Sequence, residues 1–458
     1  MIDGRLKNSY YQFMNGSEKK NSRWKRFWEK INREFRWFLP GLGYKRWLAL
    51  TVVGAMLLGL GLAVIVLKYY RTTTNEFLTP ILAFLSLRSL DRPIRFLLFA
   101  GIGFALILIG ILGANRAVLK PFEREGRPAW EAVQQFRRKD RGIKVVVIGG
   151  GHGLASLLSG IKAYTHNITA IVTVSDDGGS SGELRRDLGV LPPGDIRNCL
   201  SALSNDEALL SQVFQYRFKS GSGLEGHSLG NLFITALAEI TGSFEEAVAE
   251  SGRVLAIYGQ VLPSTLSNVQ LVGDVRMHDS DEIVQIKGES KITGAHGKIL
   301  RVLLDPANAQ AYPPTVAAIL NADLILVGPG SLYTSILPNL MVSGLVDAMR
   351  SSRAEVFYVS NVATQRGETD GFNVSDHMRV LEQHVGKKIF DLVISNNNYK
   401  GDLGEGVDWV RNDATSRRSF KVYETDLVDG LYPWRHDSKK LAKAIINVFE
   451  ERTGPLYN

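Results

Sequence analysis

Two kinds of hydrophobic pattern divide this 458-residue chain. Residues 47–67 (WLALTVVGAMLLGLGLAVIVL) and 96–115 (FLLFAGIGFALILIGILGAN) carry no charged side chain and are bounded by Arg or Lys. At about 1.5 Å per helical residue, each run is long enough to cross a hydrocarbon core roughly 30 Å thick. Their small residues allow close helix approach, so together they predict a two-helix transmembrane hairpin over residues 47–115. The apolar run FLTPILAFLSL between them is too short to span and fits the outer interface.

From Lys144 the pattern changes to short β-branched runs alternating with amphipathic stretches, as in a doubly wound, mainly parallel α/β sheet covered on both faces. KVVVIGG and ITAIVTVS read as the first two strands, with the helix LASLLSGIKAY between them; ADLILVG, AEVFYVSN and FDLVISN read as later strands. In HSLGNLFITALAEI, Leu229, Leu232, Phe233, Ala236, Leu237 and Ile240 fall at helical spacing and predict a helix with that face on the core. Residues 260–305, including IVQIKGESKI, read as β-rich hairpins added to the sheet. The organisation expected is a basic segment over 1–46, the hairpin over 47–115, a charged linker over 116–142 and a ligand-binding domain over 143–458.

Charge sharpens this division. The net charge is +8, but residues 1–141 hold 25 Lys and Arg against 10 Asp and Glu, leaving 29 against 36 for the remainder. The large domain is therefore slightly acidic, which argues against nucleic acid as a partner. Basic residues before the first uncharged run and after the second place both ends in the cytoplasm by the positive-inside rule, with the anchor in the cell membrane. RWKRFWEKINREFRWFLPG (residues 23–41) suits either an amphipathic helix on anionic lipid or a flank that only sets topology. The single cysteine, Cys199, excludes an intramolecular disulfide and a multi-thiolate metal site.

The candidate chemistry lies in turns after strands. In GGGHGL, Gly149, Gly150, Gly151, His152 and Gly153 can bring backbone N–H groups and a helix N-terminus against a phosphate. The dinucleotide fingerprint fails in both registers, where Leu154 or Ser156 stands in place of its last glycine, so a nicotinamide cofactor is disfavoured. SDDGGSSG supplies Asp176 and Asp177 for a hydroxyl or a Mg²⁺ ion, with Ser180 and Ser181 beside them. PPGDIRN offers Asp195 as a helix cap and Arg197 and Asn198 in the first turn. GHSLGN sets His227 and Asn231 four residues apart on one helix face. GPGSLYTS repeats the glycine turn with Gly328, Gly330 and Ser331, followed by Tyr333 and Thr334, and Asn361 ends the next strand. No Ser, Cys or His lies in a recognisable nucleophile arrangement.

The ordered series GGGHGL, SDDGGSSG, PPGDIRN, GHSLGN, GPGSLYTS and TQRGET resembles the 2-phospho-L-lactate transferase-like family, in its gluconeogenesis-factor branch, over roughly residues 143–400. The resemblance implies a Rossmann-like three-layer domain that binds a UDP-activated sugar, with a role in growth on gluconeogenic carbon sources and in cell shape. It adds Gln365 and Glu368, from TQRGET, to the candidate ligand residues. The transferase branch moves a phospholactyl group to a deazaflavin precursor with Mg²⁺, and its acceptor site carries an acidic loop like Asp176 and Asp177. Three positions depart from the family pattern: His152 replaces a usual Thr, Arg366 a common Pro and Asn268 an expected acid. The expected partners are a nucleotide sugar and membrane lipid; homo-oligomers, cell-envelope synthesis proteins and regulatory proteins are left open. In this reading Gly149–Gly153 and Gly328–Ser331 hold a diphosphate, Arg197 offsets its charge, and Asn198, Asn231 and Asn361 read polar edges. A phosphotransfer-type enzyme and a membrane adaptor with a degenerate pocket are the alternatives.

Overall fold

The computed structural model describes residues 129–204, 208–277, 280–295 and 297–454, with scattered positions between 52 and 108. The segment 1–46 and nearly all of the expected membrane hairpin lie outside the described residues. Among the described residues no helix is long and apolar enough to cross a membrane. Residues from Arg138 onward form one compact unit, and residues Ala129–Asp140 form a helix.

The unit holds the strands β1 (Val145–Gly149), β2 (Ile168–Val172), β3 (Gln260–Pro263), β4 (Gln270–Arg276), β5 (Ile283–Lys287), β6 (Lys298–Asp305), β7 (Leu324–Val327), β8 (Glu355–Val359), β9 (Leu392–Asn396) and β10 (Val422–Thr425). Seven of them make one sheet in the order β10, β9, β8, β7, β1, β2, β3, and every pairing in it is parallel. The chain winds outward from β1 to β3, then returns to the other side of β1 at β7. The β1/β7 junction is thus the topological switch point, where an open α/β sheet leaves a crevice beyond its strand ends. Every residue of β1, β7 and β9 is buried, as expected of a sheet lying between two helical layers.

Six helices position the site: α1 (Gly151–Ile161), α2 (Gly179–Leu188), α3 (Gly194–Leu203), α4 (Leu229–Thr241), α5 (Glu289–Gly294) and α6 (Ser438–Thr453). Helix α1 packs against α3 and α6. Its approach to α6 depends on Gly160, where a Cβ would lie 2.0 Å from the carbonyl oxygen of Ser438.

Three sequence expectations change. Residues 260–305 do not simply extend the main sheet: β3 joins its edge, while β4, β5 and β6 form a separate antiparallel sheet in the order β5, β4, β6. Strand β10, whose residues are all half-buried, has too weak a pattern to be read from sequence. Helix α4 is rotated from its expected setting. Gly230, Asn231, Ile234 and Thr235 face inward, whereas Ala236 is exposed and Ile240 is 79% exposed. Its first turn bonds across the site through Asn231, while Phe233 of the expected stripe still packs against the core.

Candidate ligand-binding site

The turns after β1, β2 and β7 meet at the switch point. Strands β1, β2 and β7 run in register, with Gly149 opposite Val172 and Ile148 opposite Val327, so their connections leave the same edge. Gly151 has φ +66°, a conformation open to glycine, and turns the chain from β1 into α1. Gly153 then lies against the second turn: a Cβ at Gly153 would be 2.7 Å from the Pro329 carbonyl oxygen. A Cβ at Gly330 would be 3.2 Å from the Gly150 carbonyl oxygen. Asn361 locks Gly330 from both sides, donating from Nδ2 to its carbonyl at 2.9 Å and accepting its N–H at 3.2 Å.

A cleft of about 930 Å³ opens over these turns, lined by Gly150, Gly151, His152, Gly153, Gly330, Ser331, Asn361 and Gln365. Helix α1 receives no side-chain cap from Gly150; its first N–H, that of Gly151, is taken by the Asp195 carboxylate, which leaves those of His152 and Gly153 for a ligand. Gly149 and Gly328 do not line the cleft; the Gly149 carbonyl is occupied by the Thr173 N–H and Asn339 Nδ2. Tyr333 and Thr334 point into the core. Tyr333 donates toward the Ile299 carbonyl, and Thr334 donates to Glu368 at 3.2 Å. Gln365 bridges the two regions, accepting from Ser331 and donating to Glu368 at 2.9 Å. Glu368 is buried behind the wall, and burial pushes its carboxyl up to about 7. It therefore braces the second turn and does not line the cleft.

The two adjacent aspartates diverge. Asp176 lines the cleft, accepts the Gly178 N–H at 2.9 Å and has its pKa raised chiefly by burial. Asp177 turns away and accepts the Ser290 N–H at 2.9 Å, capping α5 in place of Gly288, which has no side chain. Gly288 has φ +104°, and a Cβ there would meet the Asp177 carboxylate at 2.2 Å. Asp177→Ala is therefore expected to lower unfolding stability by about 1 kcal/mol, as for a lost helix cap, and to leave ligand affinity in the cleft unchanged. Urea unfolding and calorimetric titration check the two halves; lost affinity with intact stability would contradict this placement.

Asp195 does not cap its own helix. Helix α3 starts at Gly194, and the Asp195 carboxylate instead accepts the Gly151 N–H across the site, with burial and then the charge of Asp176 raising its pKa to about 6. The acidic wall also contains Glu289, which sequence reasoning missed. Its Oε2 is out of solvent without a partner, and burial followed by the charges of Asp176 and Asp195 holds its pKa well above the usual carboxylate range. Trp434, Arg435 and His436 form another missed wall, foreshadowed only by the dense PWRHD run near the C-terminus. His436 is buried, donates from Nε2 to the Ser360 carbonyl and titrates near 4 because burial disfavours its cation. Arg366 lines the cleft. Asn268 lies outside it, bound by Arg185. Among the described residues, no three or more His, Cys, Asp or Glu side chains are grouped to hold a metal ion. With Asp176 and Asp177 divergent, the expected Mg²⁺ pair is not a donor set.

A side chamber of about 220 Å³ adjoins the cleft and shares His152, Asp176 and Asp195 with it. It gathers Ser180, Ser181, Arg197, Asn198 and Asn231. His227, which precedes α4 instead of sharing a helix face with Asn231, bonds Ser180 at 2.9 Å through Nδ1, and Asn231 donates from Nδ2 to the same hydroxyl at 3.0 Å. Arg197, expected at the diphosphate, belongs to this chamber. It donates from Nη2 to Asn198 at 2.9 Å and does not line the main cleft. His152, at the junction, is kept from ionising by burial and then by the charges of Arg435 and Arg197.

Known proteins place this architecture. The family model described as 2-phospho-L-lactate transferase CofD matches residues 145–453. A Nostoc sp. relative is 47% identical over 378 residues, spanning 80% of this chain and 79% of its own. The gluconeogenesis factor of Bacillus subtilis is 40% identical over 323 residues, spanning 67% of this chain and 98% of its own. A crystal structure of a Bacillus halodurans protein superposes with a TM-score of 0.63 at 42% identity, covering 66% of this chain and 99% of that one. With its parallel sheet, its glycine turns at the switch point and this degree of likeness, the chain belongs to the 2-phospho-L-lactate transferase CofD family, among the relatives named gluconeogenesis factors.

Proposed function

We propose that this chain binds a UDP-activated sugar in the main cleft and acts as a membrane-tethered regulatory protein linked to gluconeogenic growth and cell shape. The observation that carries the reading is the closure of the first glycine turn on the second beside the N-terminus of α1. Such a cradle suits a diphosphate, because its free N–H groups and the helix dipole both favour negative charge. Arg435 on the opposite wall offsets that charge, and Trp434, 46% exposed, offers a flat apolar face to a ring. The acidic wall of Asp176, Asp195 and Glu289 suits sugar or ribose hydroxyls. A Mg²⁺ ion in this reading would be held by the ligand's phosphate oxygens and Asp176, without Asp177.

Calorimetric titration of the detergent-solubilised full chain with UDP-N-acetylglucosamine, with and without Mg²⁺, tests the proposal. Saturable binding is expected, and silence under both conditions removes it. The uncharged runs 47–67 and 96–115 are the proposed anchor, with both ends and the main domain cytoplasmic. Alkaline carbonate washing of bacterial membranes is expected to leave the chain in the pellet, and its release would refute the anchor. The family match gives a transferase reading some support, with Asp176 or Asp195 as proton acceptor. Product formed from a nucleotide-activated phospholactate and a deazaflavin acceptor would establish it over the binding role.

A further inference from the structure

The side chamber differs chemically from the cleft beside it. Its floor is Arg197, which is 7% exposed and has both Nε and Nη1 buried without a hydrogen-bond partner. A buried guanidinium with two open donors is costly unless an oxyanion completes it. Gly230 maintains this arrangement: a Cβ there would lie 2.8 Å from Arg197 Cγ, so α4 closes directly on the arginine stem. Arg217 adds positive charge at the chamber, and the N-termini of α2 and α3 reach it without side-chain caps.

A second open group specifies the ligand further. His227 Nε2 faces the Glu183 carboxylate at 3.3 Å. In neutral His227 that contact puts the proton on Nε2 and makes Nδ1 an acceptor. Ser180 then donates to Nδ1, so Asn231 must donate to Ser180 through Nδ2. The consequence is that Asn231 Oδ1, in a residue 2% exposed, is left as an unpartnered acceptor in the chamber. The chamber therefore presents two cationic N–H donors and the Asn231 acceptor, with the Asp176 and Asp195 carboxylates as further acceptors on the wall it shares with the cleft. An oxyanion that still carries a proton satisfies donors and acceptors together; a fully deprotonated one leaves Asn231 unpaired and lies against the carboxylates with no proton to share.

We propose that the side chamber is a binding site for inorganic phosphate, which keeps at least one proton at neutral pH, separate from the diphosphate cradle of the cleft. It selects phosphate over sulfate because sulfate at neutral pH has no proton to give Asn231 Oδ1. This site does not depend on the nucleotide-sugar reading.

The test is calorimetric titration of the full chain at neutral pH with inorganic phosphate, sulfate and glycerol 3-phosphate separately, followed by UDP-N-acetylglucosamine on the phosphate-saturated protein. Phosphate is expected to bind saturably and at least tenfold more tightly than sulfate. Glycerol 3-phosphate, whose second pKa of about 6 leaves it mostly without a proton at neutral pH, is expected to bind more weakly than phosphate, and tighter binding would overturn the requirement for a proton. Arg197→Met is expected to abolish phosphate binding. Asn231→Leu, with its fold checked by circular dichroism, is expected to narrow the preference over sulfate at least threefold, and it decides the matter if the arginine variant does not fold. Absent phosphate binding, equal affinity for sulfate, or one-for-one displacement of phosphate by the nucleotide sugar would overturn the assignment. Phosphate binding without any UDP-N-acetylglucosamine binding would leave this site standing and remove the proposed nucleotide role.

Discussion

Gly153→Val is expected to lower affinity for UDP-N-acetylglucosamine at least tenfold while the chain still folds. The added Cβ would fall 2.7 Å from the Pro329 carbonyl oxygen and 2.9 Å from its carbonyl carbon, both rigid backbone atoms with no rotamer to yield. The two glycine turns must then separate, and overpacking of this kind costs about 1–3 kcal/mol. That cost falls on the crossing that shapes the diphosphate cradle, and a displaced turn withdraws several N–H groups together. Thermal unfolding beside calorimetry separates the two effects. Unchanged affinity in a folded Gly153→Val protein would show that the ligand does not rest on this crossing.

Glu368→Gln is expected to flatten the fall of stability between pH 5 and pH 8. The carboxyl titrates near 4.5 in the unfolded chain and at about 7 in the native one. Between those values the native state holds more protons, so the unfolding free energy declines as pH rises. This contribution is complete below the unfolded value and is lost as pH passes through the native one. The shift corresponds to about 3 kcal/mol, and Glu368 is only 5% exposed, so screening by solvent does little to reduce it. Asp195, raised to about 6, adds a smaller decline of the same sign. Glutamine keeps an oxygen for Thr334 and Gln365 but cannot titrate, so urea unfolding across this range should lose the share of its slope that Glu368 supplies, while the raised carboxyls of Asp195, Asp176 and Glu289 keep the rest. An unaltered slope would place the proton elsewhere. Because Glu368 braces Gln365, which bonds Ser331 in the second turn, the same titration links the cleft wall to pH.

Several features were legible in the chain because they are written locally. Alternating runs located β1, β2, β7, β8 and β9, since an all-apolar run bounded by turn residues has few alternatives to a buried parallel strand. The glycine clusters located the ligand turns, since a sharp strand-to-helix turn and a close backbone approach both require a missing Cβ, as at Gly151 and Gly153. Charge distribution separated the basic N-terminal region from the acidic domain without any geometry.

Tertiary structure decided which residues share a compartment. Asp176 and Asp177 look like one donor pair in the sequence, yet neighbouring side chains on a non-helical segment point to opposite sides, and one enters the cleft while the other caps α5. Glu289 joins the acidic wall from helix α5, between two strands of the second sheet, and Trp434 and Arg435 arrive from the far end of the chain. Helix α4 turned its polar face inward because Asn231 meets Ser180 across 51 positions of sequence, a pairing that no periodicity records. The sequence by itself determined five of the seven strands of the main sheet and the glycine turns that follow β1 and β7. Packing determined that those turns close into a cleft and a separate chamber, because long-range contacts depend on the sheet order and on which side chains are desolvated together.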